Sequence, residues 1–265
     1  MPKFETIILE IEEQKRLAII YFNRPKSLNA LNYNMVREFC QALEVVSKMK
    51  SLRCLILTGI EKTFSVGGDI NEFKNAVDPG VFMYRMANKL NEAVKLLKYL
   101  NIPLIAAING LCFGAALGYA CACDLRICHS EAKFGAAFTG IALSPDTSTS
   151  FHLPKIVGPS LAKEMILMNR ILNSEEAVRY NLVSQIISAD YDFLEEIKKL
   201  AVKLTKGAPI AIAKATELVN KSYLNNLEEH LELEKEYIKI CADTEDFQEG
   251  LKAFLEKREP KFIGK

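Results

Sequence analysis

Residues 103–124 read Pro103-Leu104-Ile105-Ala106-Ala107-Ile108-Asn109-Gly110-Leu111-Cys112-Phe113-Gly114-Ala115-Ala116-Leu117-Gly118-Tyr119-Ala120-Cys121-Ala122-Cys123-Asp124. The run 102–123 is the most apolar of the chain and the nearest thing in it to a membrane span. It holds Pro103, Asn109 and Gly110 in its first half and meets Asp124 and Arg126 at its end. It therefore reads as a buried strand over 104–108, a turn at Asn109-Gly110, and a buried helix of small residues starting near Gly114-Ala115-Ala116. The free N–H groups at the start of such a helix, together with its dipole, favour developing negative charge, and Ala115 N–H is one such donor. Close helix packing is the alternative, because small residues also let elements approach.

Toward the N-terminus, residues 54–57 form a short all-apolar run, the pattern of a strand buried on both faces. It leads to a second loop, Phe64-Ser65-Val66-Gly67-Gly68-Asp69. Its two glycines allow positive φ and a close approach of the backbone to a ligand, so that Gly68 N–H can point into a cleft. A tight turn without a ligand is the alternative. Neither loop is a phosphate-binding P-loop or a dinucleotide fingerprint. Between them lies a long helix with Met86, Leu90, Val94 and Leu97 on one stripe. Farther upstream, residues 6–11 and 17–22 read as a hairpin that Asn23-Arg24-Pro25 ends. Asn34 then caps a helix carrying Met35, Phe39, Leu43 and Val46.

Strands alternate with helices through about the first two thirds of the chain, which implies parallel pairing with helical crossovers. From Asp192 onward the pattern is almost entirely helical, with Leu224, Leu227, Leu231 and Ile238 on one side. Glu228, Glu229, Glu232 and Glu236 lie elsewhere and read as a solvated face. The organisation is an α/β body over 1–191 and a helical region over 192–265.

Composition narrows the function. The 265 residues are 49% hydrophobic and 25% charged, and 34 basic against 33 acidic residues leave a net charge of +1. That balance is globular and gives no overall field directed at nucleic acid or an anionic membrane. The first residues lack the apolar stretch of a signal peptide. Seven cysteines, mostly in apolar runs and without CxxC spacing, read as buried free thiols in a reducing cytoplasm. The three histidines are not spaced as a ligand set, and no metal site is expected.

In their order and separation the two loops resemble those of the crotonase (enoyl-CoA hydratase/isomerase) family. Residues 23–31, Asn-Arg-Pro-Lys-Ser-Leu-Asn-Ala-Leu, resemble its early loop, residues 64–70 its first oxyanion loop, and 103–124 the segment with the second. Residues 249–258 resemble its C-terminal helix, so the likeness spans nearly the whole chain. The resemblance implies a ClpP-like spiral of ββα units, a helical C-terminal trimerisation region, and homotrimers that pair into hexamers. It implies an acyl-CoA substrate with no further cofactor, its thioester oxygen held between Gly68 N–H and Ala115 N–H. By the same likeness Lys26, Leu28, Val66, Asp69 and Ile70 lie along the CoA moiety. Phe254 and Lys257 reach the nucleotide end, including that of a neighbouring subunit.

The chain departs from the hydratase pattern where that pattern has two glutamates. Gly118 falls at the first and Phe138 at the second, and neither can transfer a proton. One carboxylate sits in a suitable loop, Leu143-Ser144-Pro145-Asp146-Thr147-Ser148-Thr149-Ser150. An Asp before a short helix is an ordinary cap. Yet the Ser-Pro-Asp segment resembles members that use an aspartate here as acid/base, such as the ring 1,2-epoxyphenylacetyl-CoA isomerase and Δ3,Δ2-enoyl-CoA isomerases. Phe138, Phe113 and Ile141 are expected to line an apolar pocket that raises the Asp146 pKa. Residues 147–150 read as helix-start hydroxyls without a histidine partner.

The expectation is an enzyme that isomerises an unsaturated acyl-CoA with Asp146 as acid/base. The alternatives are a 4-chlorobenzoyl-CoA dehalogenase-like enzyme or a cyclic dienoyl-CoA hydratase or hydrolase. A non-catalytic RNA-binding homologue, or a structural subunit of a larger acyl-CoA complex, is a further alternative. Against the dehalogenase, the helix over 81–100 has no histidine and residue 138 is not tryptophan. Against the RNA-binding module, charge is balanced and no basic run interleaves with aromatics.

Overall fold

The computed structural model describes residues 2–265. In chain order it contains β1 (Ile7–Glu12), β2 (Leu17–Phe22), α1 (Tyr33–Lys48), β3 (Cys54–Gly59), β4 (Thr63–Ser65), α2 (Ile70–Lys74) and α3 (Pro79–Tyr99). Then come β5 (Leu104–Ile108), β6 (Leu111–Phe113), α4 (Ala115–Ala122), β7 (Leu125–His129), β8 (Lys133–Gly135), α5 (Thr149–Val157) and α6 (Pro159–Leu167). The chain ends with β9 (Leu172–Asn173), α7 (Ser174–Arg179), β10 (Gln185–Ile187), α8 (Phe193–Thr205), α9 (Pro209–Lys221), α10 (Leu227–Ala242) and α11 (Glu245–Glu256).

The strands form two sheets, ordered β1-β2-β3-β5-β7-β10 and β4-β6-β8-β9. The expected hairpin is there: β1 and β2 pair antiparallel from Ile7 opposite Phe22 to Glu12 opposite Leu17. From β2 onward the large sheet is parallel. Three consecutive pairs, β3–β4, β5–β6 and β7–β8, each give their first strand to the large sheet and their second to the small one. The chain thus advances one rung in both sheets per unit, which makes the spiral of ββα units. Asn109 ties two of these corners together, its side-chain amide donating to Gly59 O at 2.8 Å and Glu61 O at 2.7 Å. The apolar segment 102–123 is the strand, turn and helix expected, with the short β6 inside the turn. Among the described residues no helix is long and apolar enough to cross a membrane.

Apolar side chains on the two faces of the large sheet feed two cores. One face joins Phe22, Leu55 and Ile108 to α1, α3 and α4, through residues such as Phe39, Leu90 and Leu117. The other joins Ile19, Ile56 and Ile105 to Ile197 and Ala201 of α8. Burial on both faces is why β3 reads as an unbroken apolar run. The cap of α1 differs from expectation. Asn32, with extended backbone, accepts from Met35 N at 2.9 Å, while Asn34 already lies inside the helix. The C-terminal region is helical as read from the sequence. Arg53 anchors the end of the chain, donating to Phe262 O at 2.9 Å, and Asp246 accepts from Ile263 N and Gly264 N.

Candidate active site

The first loop follows from how Leu31 meets it. Leu31 forms a parallel bridge with Gly68, donating to Gly67 O at 2.7 Å and accepting from Asp69 N at 3.1 Å. In a parallel pairing the residue between the two bonded neighbours turns its own amide the other way. Gly68 N–H therefore faces away from Leu31, and it donates to no backbone acceptor among the described residues.

The second loop presents Ala115 as the first residue of α4, after Gly114 at φ 55°, with no side-chain cap. Gly114 O is taken by Leu117 N and Gly118 N, and Ala115 N–H is left free, as first-turn amides are. The two loops touch. Gly67 has φ 88°, and a Cβ there would come within 2.8 Å of Phe113 O and 3.4 Å of Ala115 N. Two backbone donors on adjacent loops, one of them on a helix N-terminus, form a site for an oxygen that gains negative charge.

Asp146 approaches the same helix. Gly118 lies three residues after Ala115, on one face of α4. The loop carrying Asp146 sits on that face, close enough that a Cβ on Gly118 would lie 2.3 Å from Thr147 O. Burial pushes the Asp146 carboxyl above the ordinary carboxylate range, with a smaller opposing effect from the Thr147 hydroxyl, which donates to Oδ1 at 2.7 Å. Fully buried Tyr119 lies within electrostatic reach of it. Burial chiefly holds the Tyr119 phenol protonated. The Asp146 side chain does not cap α5. The N-cap is Ser148, in left-handed conformation, and Asp146 contributes only its carbonyl, accepting from Thr149 N at 2.9 Å.

Of the residues expected around Asp146, Phe138 is buried with the core, Phe113 packs its ring over Gly135, and Ile141 is exposed. The hydrogen-bond partner of the Asp146 carboxyl is the Thr147 hydroxyl. The expectation that residues 147–150 lack a histidine fails, because His152 Nδ1 lies 2.9 Å from Ser148 Oγ, one helical turn on. Burial and the charges of Lys98, Lys155 and Arg126 push His152 down to about 4. This pair lines a cavity of about 1050 Å³ between α3, α4, α5 and α9, whose walls do not include Gly68, Ala115 or Asp146.

The residues expected along CoA divide. Lys26, Leu28 and Ile70 are exposed near the first loop, and Val66 is half-buried. Asp69 is buried and already engaged: it pairs with Arg24 at 2.8 Å and caps α2 by accepting from Asn71 N at 3.0 Å. Phe254 is 81% exposed on α11, and Lys257 ends that helix in left-handed conformation. Arg24, Asn29 and Phe73 were missed. Arg24 and Asn29 clamp the early loop to the first oxyanion loop, and Asn29 donates to Ile60 O and Thr63 O. Phe73 packs on Gly68, where a Cβ would meet its ring at 2.3 Å. The polar string Asn23-Arg24 and Asn29 beside a proline was the available signal. Among the described residues no group of three His, Cys, Asp or Glu side chains could hold a metal ion.

The structure thus combines a spiral of ββα units with free backbone N–H groups at Gly68 and Ala115 on touching loops. The chain belongs to the enoyl-CoA hydratase/isomerase family, whose model matches residues 12–265. It is 34% identical to a crotonyl-CoA hydratase of Syntrophomonas wolfei over 99% of both chains. It is 31% identical to the 1,2-epoxyphenylacetyl-CoA isomerase of Escherichia coli, covering 98% of this chain and 99% of that one. The solved enoyl-CoA hydratase of Bacillus anthracis superposes with a TM-score of 0.92 at 28% identity, over 98% of this chain and all of the other. The fold is thus the crotonase fold, and the protein is an acyl-CoA enzyme of this family.

Proposed function

We propose that this enzyme isomerises an unsaturated acyl-CoA, moving a double bond between the 3 and 2 positions with Asp146 as the single acid/base. One observation carries the reading. The loop of Asp146 lies against Gly118, on the face of α4 that begins with Ala115, and by the family resemblance Gly118 stands where a hydratase carries its first glutamate. Phe138, at the second glutamate position, is buried among apolar residues. Water addition by two carboxylates has no groups to run on.

The chemistry needs three parts. Gly68 N–H and Ala115 N–H hold the thioester oxygen as the α proton leaves, and each such donor contributes about 3 kcal/mol to the transition state. Asp146, a stronger base for being buried, takes the proton and returns it to the γ carbon from the same face. The reaction is redox-neutral proton transfer, so it calls for no cofactor beyond the CoA of the substrate. Lys26, Leu28, Val66 and Ile70 flank the path of CoA, with Asp69 bracing the loop through Arg24. Exposed Leu224, in the turn before α10, and exposed Leu227 and Ile238 on α10 support a homotrimer or hexamer in which Phe254 and Lys257 serve a neighbouring subunit's nucleotide end. Seven free cysteines support a reducing, cytoplasmic setting, and the balanced charge supports a small-molecule rather than a nucleic-acid partner.

The test is ultraviolet detection of the conjugated 2-enoyl thioester from straight-chain 3-enoyl-CoA, with Asp146→Asn alongside. Conversion that the variant loses supports the reading. Thioester binding without conversion overturns it and moves the search to hydration of 2-enoyl-CoA, the activity named for several relatives, and to cyclic diene and halogenated aryl thioesters.

A further inference from the structure

We infer that the cavity between α3, α4, α5 and α9 is a second ligand site, which takes a small organic anion with an aliphatic body and a single carboxylate head. The inference does not rest on the reading of Asp146, because none of Gly68, Ala115 and Asp146 lies in the cavity walls. At about 1050 Å³ the cavity has the volume of a small-molecule site, and helices of one chain form it.

The charge of the walls is one-sided. They carry Lys95, Lys98, Arg126, Lys155, Lys214 and Lys221 against Asp124 and Glu217. Glu217 is already engaged, by Lys214 at 3.0 Å and Lys221 at 2.9 Å. Asp124 accepts from Leu104 N at 2.9 Å, and burial raises its carboxyl above the ordinary range. Arg126 donates to uncharged carbonyls, Leu182 O at 2.7 Å and Cys123 O at 2.8 Å. Lys89, earlier on α3, pairs with Glu92, whereas Lys95 and Lys98 meet no carboxylate within 4.0 Å among the described residues. Lys155 has aromatic company instead, its Nζ 3.1 Å from the centre of the Phe151 ring and 5.2 Å from that of Tyr223. Three ammonium groups and a guanidinium thus surround a space that holds one buried acid. A bound anion relieves their mutual repulsion.

His152, a wall residue, feels the same field. Its Nδ1 lies 2.9 Å from Ser148 Oγ, and its Nε2 has no hydrogen-bond partner among the described residues. The unpartnered side-chain atoms that are sealed from solvent are Thr149 Oγ1 and His230 Nδ1, so the His152 Nε2 is accessible. Burial and the charges of Lys98, Lys155 and Arg126 keep the ring neutral down to about 4. With Nδ1 accepting from the Ser148 hydroxyl, a neutral ring carries its proton on Nε2 and can donate it to an anion.

The remaining walls define the rest of the ligand. Leu97, Leu100, Ile102, Leu104 and Ile156 offer an apolar lining that suits a hydrocarbon body. Asp124 stands within electrostatic reach of Lys98 and Arg126, and its charge opposes a second negative charge on the ligand. That selects a monoanion over a phosphate ester.

The experiment is calorimetric titration of the native protein at neutral pH with octanoate, octanol and inorganic phosphate, repeated on Lys98→Gln, Lys155→Gln and the double variant. One octanoate is expected to bind per chain, with octanol and phosphate failing to bind at the same concentration. Each single variant is expected to weaken octanoate roughly tenfold, the effect of losing one charged hydrogen-bond partner. Selectively labelled histidine gives the location: the His152 ring resonance, assigned with His152→Gln, is expected to move with octanoate while those of His129 and His230 stay. Native melting and native kcat on an accepted thioester show that the lysine variants are folded. Octanol binding as tightly as octanoate, or phosphate binding in its place, overturns the ligand class and with it the inference. Octanoate binding that the double variant retains, or that leaves the His152 ring unmoved, overturns the location. Absence of octanoate binding, the result if a neighbouring subunit fills the cavity, overturns the inference outright. Displacement of octanoate by octanoyl-CoA makes the cavity part of the thioester site and also overturns it. The acid/base reading is decided separately by Asp146→Asn, which is expected to bind octanoate as the native protein does.

Discussion

Leu31 grips the residues on either side of Gly68, with Gly67 O at 2.7 Å and Asp69 N at 3.1 Å, and so aims the Gly68 amide away from itself. The donor is set by a backbone pairing, and its neighbour Gly67 is pressed against the other oxyanion loop. Gly67→Ala places a Cβ 2.8 Å from Phe113 O at φ 88°, which neither loop can absorb in place. The variant is expected to lose roughly 100- to 1,000-fold in kcat, the effect of losing one oxyanion donor. Steady-state kinetics on an accepted thioester checks this, and native activity would show that the two loops do not act together.

The ion pair of Arg24 and Asp69 braces the same loop from below. Asp69 is buried, accepts from Asn71 N to cap α2, and pairs with Arg24 at 2.8 Å. Removing it leaves a half-buried guanidinium and an uncapped helix. Asp69→Ala is expected to destabilise the fold by about 2–4 kcal/mol, read from the urea midpoint. Asp69→Asn keeps the cap and should recover about 1 kcal/mol of that. If Asp69→Ala melts like the native protein, the clamp between the early loop and the oxyanion loop has no structural weight.

What the sequence disclosed followed periodicity and punctuation. The segment 102–123 could be parsed because Asn109-Gly110 interrupts an apolar run and small residues restart it as α4. The hairpin and the C-terminal helices were legible for the same reason. The clamp of Arg24 on Asp69 was not, because the partners lie 45 residues apart and each reads locally as a turn residue. Assigning Asn34 rather than Asn32 as the cap was a local ambiguity between two capable side chains, settled by which backbone is extended. The directions of the aromatic and aliphatic residues named for the Asp146 pocket were not legible, because a list of apolar residues gives no direction: Phe113 packs on Gly135, and Ile141 is exposed. His152 was overlooked as a partner of Ser148 although the two are one helical turn apart, a spacing that brings side chains together.

His152 gives a stability signature at mild acidity. Burial and three neighbouring cations push it down to about 4 from an ordinary 6.5. Between those values the unfolded chain binds a proton that the folded chain refuses. Stability is therefore fully present above pH 6.5 and falls as pH drops toward 4. His152→Gln removes the titration, so its melting temperature should decline less than that of the native protein over this window. Parallel curves for the two proteins would mean that the ring is charged in the fold or titrates normally there.

Asp146 carries the opposite sign, and the two effects can be separated. Its folded pKa is raised by burial, so the folded state holds a proton more tightly than the unfolded chain, whose aspartates titrate near 3.9. Stability contributed by this group is lost as pH climbs from about 4 through the raised folded value, and above that value the ionised carboxyl is a standing cost. Asp146→Asn removes the charge while its amide oxygen can still accept from the Thr147 hydroxyl. The variant should therefore melt higher than the native protein at neutral pH, with the gap closing below about pH 4, and at the same time lose isomerase activity. Native activity itself should fall on the acid side with a midpoint above the ordinary carboxylate range, because only the ionised form can take the α proton. Melting curves from pH 3.5 to 8 for both proteins, set beside the native pH–rate profile, test the three statements together. A variant that is less stable than the native protein at neutral pH would show that the buried carboxylate is held by groups that favour its charge, and would remove the physical basis for Asp146 as a strengthened base.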